Sequence, residues 1–137
     1  MPLSVVILAA GKGSRMKSNK PKVIHQVAGK AMLQHVVDTS KRLNPEQIIV
    51  VVGHESQQVV DLMQDQSLIF VEQTEQLGTG HAVLQCHDEL TPGNDILVLY
   101  GDVPLIKQAT LQQLIDAARH DHAVCILSFF SETPTGY

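Results

Sequence analysis

The run Leu3-Ser4-Val5-Val6-Ile7-Leu8-Ala9-Ala10 passes directly into Gly11-Lys12-Gly13-Ser14-Arg15-Met16, with Pro21-Lys22 shortly after. The consecutive Val5, Val6, Ile7 and Leu8 place apolar side chains on both faces of an extended chain, which is the demand of a central parallel strand covered by helices on each side. The run predicts a strand over 3–9. It ends in a glycine-rich, cationic loop, a shape suited to holding phosphate at the end of a sheet.

The charge distribution sharpens this. Lys12, Arg15, Lys17, Lys20, Lys22 and Lys30 supply six of the ten basic side chains before the first acidic residue, Asp38, although the net charge is -4. An acidic chain with one basic loop points to a small anionic ligand and away from a nucleic-acid surface. With no Trp, two Tyr and three Phe, it offers no aromatic platform for single-stranded nucleic acid. No apolar stretch approaches the roughly 20 residues that cross a bilayer, and the N-terminus lacks signal-peptide features, so neither a membrane nor a nucleic-acid partner is expected and the location is read as cytoplasmic. Cys86 and Cys125 fall in apolar segments and form no Cys-x-x-Cys pair, the pattern of buried reduced thiols. The 137 residues suffice for one core.

Beyond the first strand, apolar patterns alternate between the two periods, the signature of an α/β domain with a mainly parallel sheet flanked by helices. Met32, Leu33, Val36, Val37 and Leu43 predict a helix ended by Asn44-Pro45. Strands follow over 48–52, 68–71 and 96–100, the last read as buried. Val59, Val60, Leu62 and Met63 mark a helix, and a further one begins at 82–84. Thr110 is read as the cap of a helix carrying Leu111, Leu114, Ile115 and Ala118, and 123–130 as a final strand. Ligands of such sheets bind beyond the carboxyl ends of the strands. Three segments therefore matter: 11–22, 73–80 and Gly101-Asp102.

The first loop matches neither better-known phosphate loop. A dinucleotide fingerprint requires glycine where Met16 stands, and a Walker loop requires Gly-Lys-Ser/Thr. Gly11 and Gly13 still let backbone N–H groups approach phosphate, Arg15 can fork onto two oxygens, and Lys22 supplies a point charge. Asp102 follows an apolar run and precedes Val103-Pro104. It either ligates Mg²⁺, which takes one or two carboxylates plus phosphates and water, or only makes the turn. Gln73 and Leu77-Gly78-Thr79-Gly80-His81-Ala82 read as a turn feeding a helix, whose glycines admit a flat base and whose Gln amide can donate and accept. The seven histidines do not fall at metal-binding spacings: His54-Glu55 lacks a second histidine, and His120-x-His122 has no partnered carboxylate at a recognisable spacing. There is no nucleophile elbow.

Taken in order, the first loop, Pro21-Lys22, Gln73, Gln76-Leu77-Gly78-Thr79-Gly80-His81-Ala82 and Tyr100-Gly101-Asp102-Val103-Pro104 resemble the sugar-phosphate nucleotidyltransferases, and among them the uridyltransferases that make UDP-N-acetylglucosamine. The resemblance implies a Rossmann-like nucleotidyltransferase fold, incomplete at its C-terminus, with residues 1–137 the N-terminal part of a pyrophosphorylase domain. It implies uridylyl transfer from UTP to N-acetylglucosamine 1-phosphate, giving UDP-N-acetylglucosamine and pyrophosphate for cell-wall precursors, with Mg²⁺ as cofactor. Residue by residue, Leu8, Ala9, Ala10 and Gly11 would line the nucleotide site, Lys22 and Gln73 contact it, and Gly78 and Thr79 hold the uracil. Tyr100, Gly101 and Asp102 would flank nucleotide and sugar, with Asp102 on the metal and Arg15 and Lys22 catalytic. The family's C-terminal acetyltransferase β-helix, with its hexapeptide repeats and homotrimer, has no counterpart in these residues. The alternatives are a nucleotidyltransferase of this fold using another base or acceptor, and a non-catalytic nucleotide-binding module.

Overall fold

A computed structural model describes residues 2–11, 20–53 and 56–133. The loop residues Lys12, Gly13, Ser14, Arg15, Met16 and Lys17 lie outside them, as do His54 and Glu55.

The sheet is built from β1 (Leu3–Ala9), β4 (Gln47–Val52), β5 (Leu68–Glu72) and β6 (Asp95–Tyr100), in the order β5-β4-β1-β6 with all neighbours parallel. A two-residue-per-strand hairpin, β2 (Gln26–Val27) and β3 (Lys30–Ala31), precedes α1 (Met32–Lys41). The remaining helices are α2 (Gln57–Met63), α3 (Thr79–Leu84) and α4 (Gln108–Asp121).

The apolar run at the N-terminus does what its pattern requires. Val5, Ile7 and Ala9 point into a core shared with Leu33, Val36 and Val37 of α1, Val59 and Met63 of α2, and Leu111 and Ile115 of α4. Val6 points the other way, onto Ile49, Val51, Ala82 and Cys86. Three helices thus cover one face and α3 the other. The chain leaves β1 toward β4 on one side and returns from β5 to β6 on the other, so strand order reverses between β1 and β6. That is where a parallel sheet opens a crevice at its carboxyl edge.

Several sequence expectations are corrected. Among the described residues β6 is an edge strand, with Leu97 and Leu99 buried but Ile96, Val98 and Tyr100 exposed on its other face. Residues 123–130 form no strand: Val124 is 93% and Ile126 83% exposed. A run of β-branched and aromatic residues favours extended chain, but a strand exists only where a ladder partner accepts its backbone groups. Thr110 lies within α4, whose N-cap position is Lys107. α3 starts at Thr79 and is already ending at Leu84. Leu43 sits past the end of α1, in the turn where Asn44 takes φ 51°. The hairpin at 26–31 had no expectation, its signal being Ala28-Gly29, both at positive φ as tight hairpin turns need.

Candidate nucleotide site

At the carboxyl edge the segments after β1, β5 and β6 converge on a cavity of about 370 Å³. Leu8, Ala10 and Gly11 enter it from the end of β1, Lys22 from the following turn, and Gln73, Gly78 and Thr79 from the β5–α3 turn. Tyr100 and Asp102 close it from β6. Two expected site residues stand behind the wall: the Ala9 side chain is 3% exposed within the core, and Gly101 is buried, its N–H donating to the Leu8 carbonyl at 2.9 Å. Arg15 lies outside the described residues.

Lys22 reaches the site because its neighbour is anchored. Pro21 directs the chain into a 3-10 turn, Lys22–Ile24, and Val23 plugs into the core at 3% exposure. Val23 packs directly over Gly101, where an added Cβ would come within 3.1 Å of Val23 Cγ1 and 3.2 Å of the Leu8 carbonyl oxygen. The missing side chain at Gly101 therefore lets the turn close onto β6. The result is an ion pair between Lys22 Nζ and Asp102 Oδ2 at 3.1 Å, with the two side chains 39% and 36% exposed. A half-exposed pair of this kind adds roughly 0–1 kcal/mol to stability, so its geometry matters more than its strength.

The opposite wall is organised by hydrogen bonds. Gln73 is 2% exposed, and its Nε2 lies 3.2 Å from the Gly78 carbonyl oxygen and 3.0 Å from His81 Nδ1. The turn that brings those groups together depends on Gly78 at φ 103°, a conformation closed to residues with a Cβ. Gln76, which motif reading left without a role, lines the cavity and donates from Nε2 to the Ala10 carbonyl at 3.0 Å, tying the β5–α3 turn to the β1 loop. Val23 and Ala82 also line it. Val23 was signalled only by its place beside Lys22, and Ala82 by its place at the end of the motif over 76–82. Beneath Ala82, burial and then the charge of Glu89 push the Cys86 thiol up to about 11, which suits packing and not nucleophilic chemistry. Cys125 is partly exposed, against the expectation of burial.

Asp102 is the carboxylate of the cavity wall, and among the described residues no group of three or more His, Cys, Asp or Glu gathers to hold a metal. One carboxylate open to a phosphate-sized cavity fits a Mg²⁺-type ion that takes its other ligands from phosphate and water. It does not fit an ion held by the protein alone.

A family model described as the MobA-like NTP transferase domain matches residues 5–134. The chain belongs to that family. This MobA-like domain is 52% identical over 136 residues to the bifunctional protein GlmU of Francisella tularensis subsp. holarctica, an alignment taking in 99% of the chain and 30% of that relative. It is equally similar to GlmU of the novicida subspecies. The MobA-like domain thus spans about 30% of the length of these relatives. Among solved structures, it superposes on a UDP-glucose pyrophosphorylase from Acinetobacter baumanii with a TM-score of 0.78 at 26% identity, over 90% of this chain and 54% of that one. Rv0371c from Mycobacterium tuberculosis shares the fold, with a TM-score of 0.72 at 23% identity over 87% of this chain and 61% of that one. No helix among the described residues is long and apolar enough to cross a membrane.

Proposed function

We propose that this domain transfers a uridylyl group from UTP to N-acetylglucosamine 1-phosphate, releasing pyrophosphate and forming UDP-N-acetylglucosamine. The observation that carries this reading is the convergence of a lysine, a carboxylate and a buried glutamine from three separate turns on one cavity at the switch point of the sheet. The 52% identity to proteins named bifunctional GlmU supports the choice of base and acceptor.

In this reaction a phosphate oxygen of the sugar phosphate attacks the α-phosphorus of UTP, and the bond to the leaving pyrophosphate breaks. The protein has little covalent chemistry to perform, so its contribution is alignment and neutralisation of charge. The Gly78 turn and Gln73 hold the base. Lys22 lies beside the phosphates, and Arg15, from the basic loop of the sequence, adds a second cation there. Asp102 would hold the Mg²⁺, which when bound draws charge from the α-phosphate and the leaving group.

The test is pyrophosphate release by the chain with UTP and Mg²⁺, with and without N-acetylglucosamine 1-phosphate. Release that depends on the sugar phosphate is the expected result. Release driven by CTP or by another sugar phosphate would replace the base or the acceptor. Mg²⁺-dependent UTP binding with no release at saturating sugar phosphate would make the chain a nucleotide-binding module.

A further inference from the structure

The Gln73 carboxamide has its two ends assigned by a neighbour that cannot donate. The Gly78 carbonyl oxygen only accepts, so the Gln73 atom 3.2 Å from it is the amide nitrogen. That same nitrogen lies 3.0 Å from His81 Nδ1. Nδ1 must therefore be bare and accepting, and the ring proton resides on Nε2. Across the ring, the Gln85 carboxamide nitrogen lies 3.2 Å from Nε2 and 3.3 Å from the His81 carbonyl oxygen. Two amide nitrogens cannot both donate to one neutral imidazole, so one carboxamide turns end for end. Turning Gln73, which is 2% exposed, would set its oxygen against the Gly78 carbonyl with no solvent to relieve the clash; turning Gln85 sets its oxygen against the His81 carbonyl, but that side chain is more accessible and can swing off the carbonyl, present its oxygen to Nε2–H and leave its nitrogen to water.

With both hydrogens of its amide nitrogen committed, Gln73 has one hydrogen-bonding atom left for the cavity it lines, the acceptor Oε1. The motif alone allowed this amide to donate or accept; the surroundings leave it an acceptor. An acceptor facing the middle of a pyrimidine's pairing edge takes the N3–H of uracil and is repelled by the bare N3 of cytosine.

We infer that His81, held as its Nε2–H tautomer, is a positioning residue for base selection: it locks the Gln73 carboxamide so that the cavity accepts from uracil N3–H and disfavours cytosine. The inference rests on the uridine reading above and assigns the residue that enforces it. His81 acts through Gln73 and does not itself line the cavity.

Two measurements test it. In ligand-free protein labelled with ¹⁵N-histidine, the His81 ring is expected to carry its proton on Nε2, and a proton on Nδ1 overturns the inference without any variant. Calorimetric binding of UTP and CTP with Mg²⁺ then reads selection. Wild type is expected to favour UTP by about tenfold or more, the scale of one satisfied against one mismatched hydrogen bond. His81→Phe removes the acceptor and should erase most of that preference. His81→Asn, whose Oδ1 can accept in place of Nδ1, should keep it. A His81→Phe protein with the wild-type ratio overturns the inference while the uridine reading stands. A wild type that prefers CTP or binds neither nucleotide overturns both.

Discussion

The two ends of the sheet use polar side chains in opposite ways. At the amino end they satisfy one another. Buried Ser4 donates to Gln47 at 2.7 Å and accepts from Asn94 at 3.0 Å, Asn94 also reaches Glu46, and Gln47 bonds the backbone at Thr91 and Glu89. Arg119 clamps Asp95 at 2.6 Å. A cavity of about 210 Å³ lies at this end too, between Leu3, Leu43 and Ile115, but its rim carries both signs of charge, in Glu46 and Arg119. At the carboxyl end the polar groups are held in place and still keep capacity to spare: Lys22 and Asp102 are half-exposed, and Gln73 has an acceptor left over. Parallel strands aim their carboxyl ends at turns that must reverse into helices, and those turns can present side chains without breaking the ladder. The amino end closes its polar groups on one another, and the carboxyl end keeps hydrogen-bonding and ionic capacity for the chemistry proposed there.

The largest effect should come from the carboxyl end and leave stability untouched. Asp102→Asn is expected to lower sugar-phosphate-dependent pyrophosphate release by roughly a hundredfold or more, since a metal's charge stabilisation amounts to several kcal/mol of barrier. Its unfolding free energy should stay within about 1 kcal/mol of wild type, because the ion pair lost is half-exposed. A turnover equal to wild type at the same Mg²⁺ would remove Asp102 from the metal.

Gly101→Ala blurs the division on purpose. Its Cβ would meet Val23 and the Leu8 carbonyl at 3.1 and 3.2 Å, so the Lys22 turn must back away from β6. Overpacking of this kind costs roughly 1–3 kcal/mol, and the same displacement separates Lys22 from Asp102. Denaturant unfolding and turnover should therefore both fall. A stability loss with full activity would show that the close approach of the turn serves packing alone.

At the amino end the expectation reverses. Ser4→Ala strips a buried hydroxyl from between Gln47 and Asn94 and should cost about 1–3 kcal/mol of stability, with turnover per folded molecule unchanged. A fall in turnover at unchanged UTP affinity would mean that the two ends are coupled through β1.

Much of this division was legible in the chain. The two-sided apolar run of β1 and the alternation of periods gave the parallel α/β sheet, and glycines and charges falling just after apolar runs gave Lys22, Gln73, Gly78 and Asp102 their place at its carboxyl edge. What escaped was whatever depends on a partner distant in sequence. Among the described residues, 123–130 have strand composition but no ladder partner, and Ile96 and Val98 read as core although β6 there lies at the sheet's edge. Gln73 looked free to donate because only the fold brings Gly78 and His81 onto its amide nitrogen. Gln76 was visible in the motif, yet its bond to the Ala10 carbonyl joins two turns that are far apart in the chain.

The smallest expected effect separates a charge from the turn that carries it. Asp65, just before β5, pairs with Lys41 at the end of α1 and also accepts from the hydroxyl and N–H of Ser67 at 2.6 and 2.9 Å. The Lys41 ammonium first, and then the Ser67 hydroxyl, draw its carboxyl down to about 2. Because the folded-state value is depressed, the stabilisation is present above the ordinary carboxyl range and is lost as pH falls from about 4 to about 2. Lys41 is 45% exposed, so solvent screening holds the contribution below about 1 kcal/mol. Asp65→Asn keeps an acceptor for Ser67 and removes only the charge. The difference in unfolding free energy between the two proteins should be small at about pH 6, shrink with added salt, and vanish only below about pH 2. A difference that persists unchanged into acid would assign the contribution of Asp65 to the Ser67 turn, and the amino end would then be held by neutral hydrogen bonds at this corner as it is around Ser4.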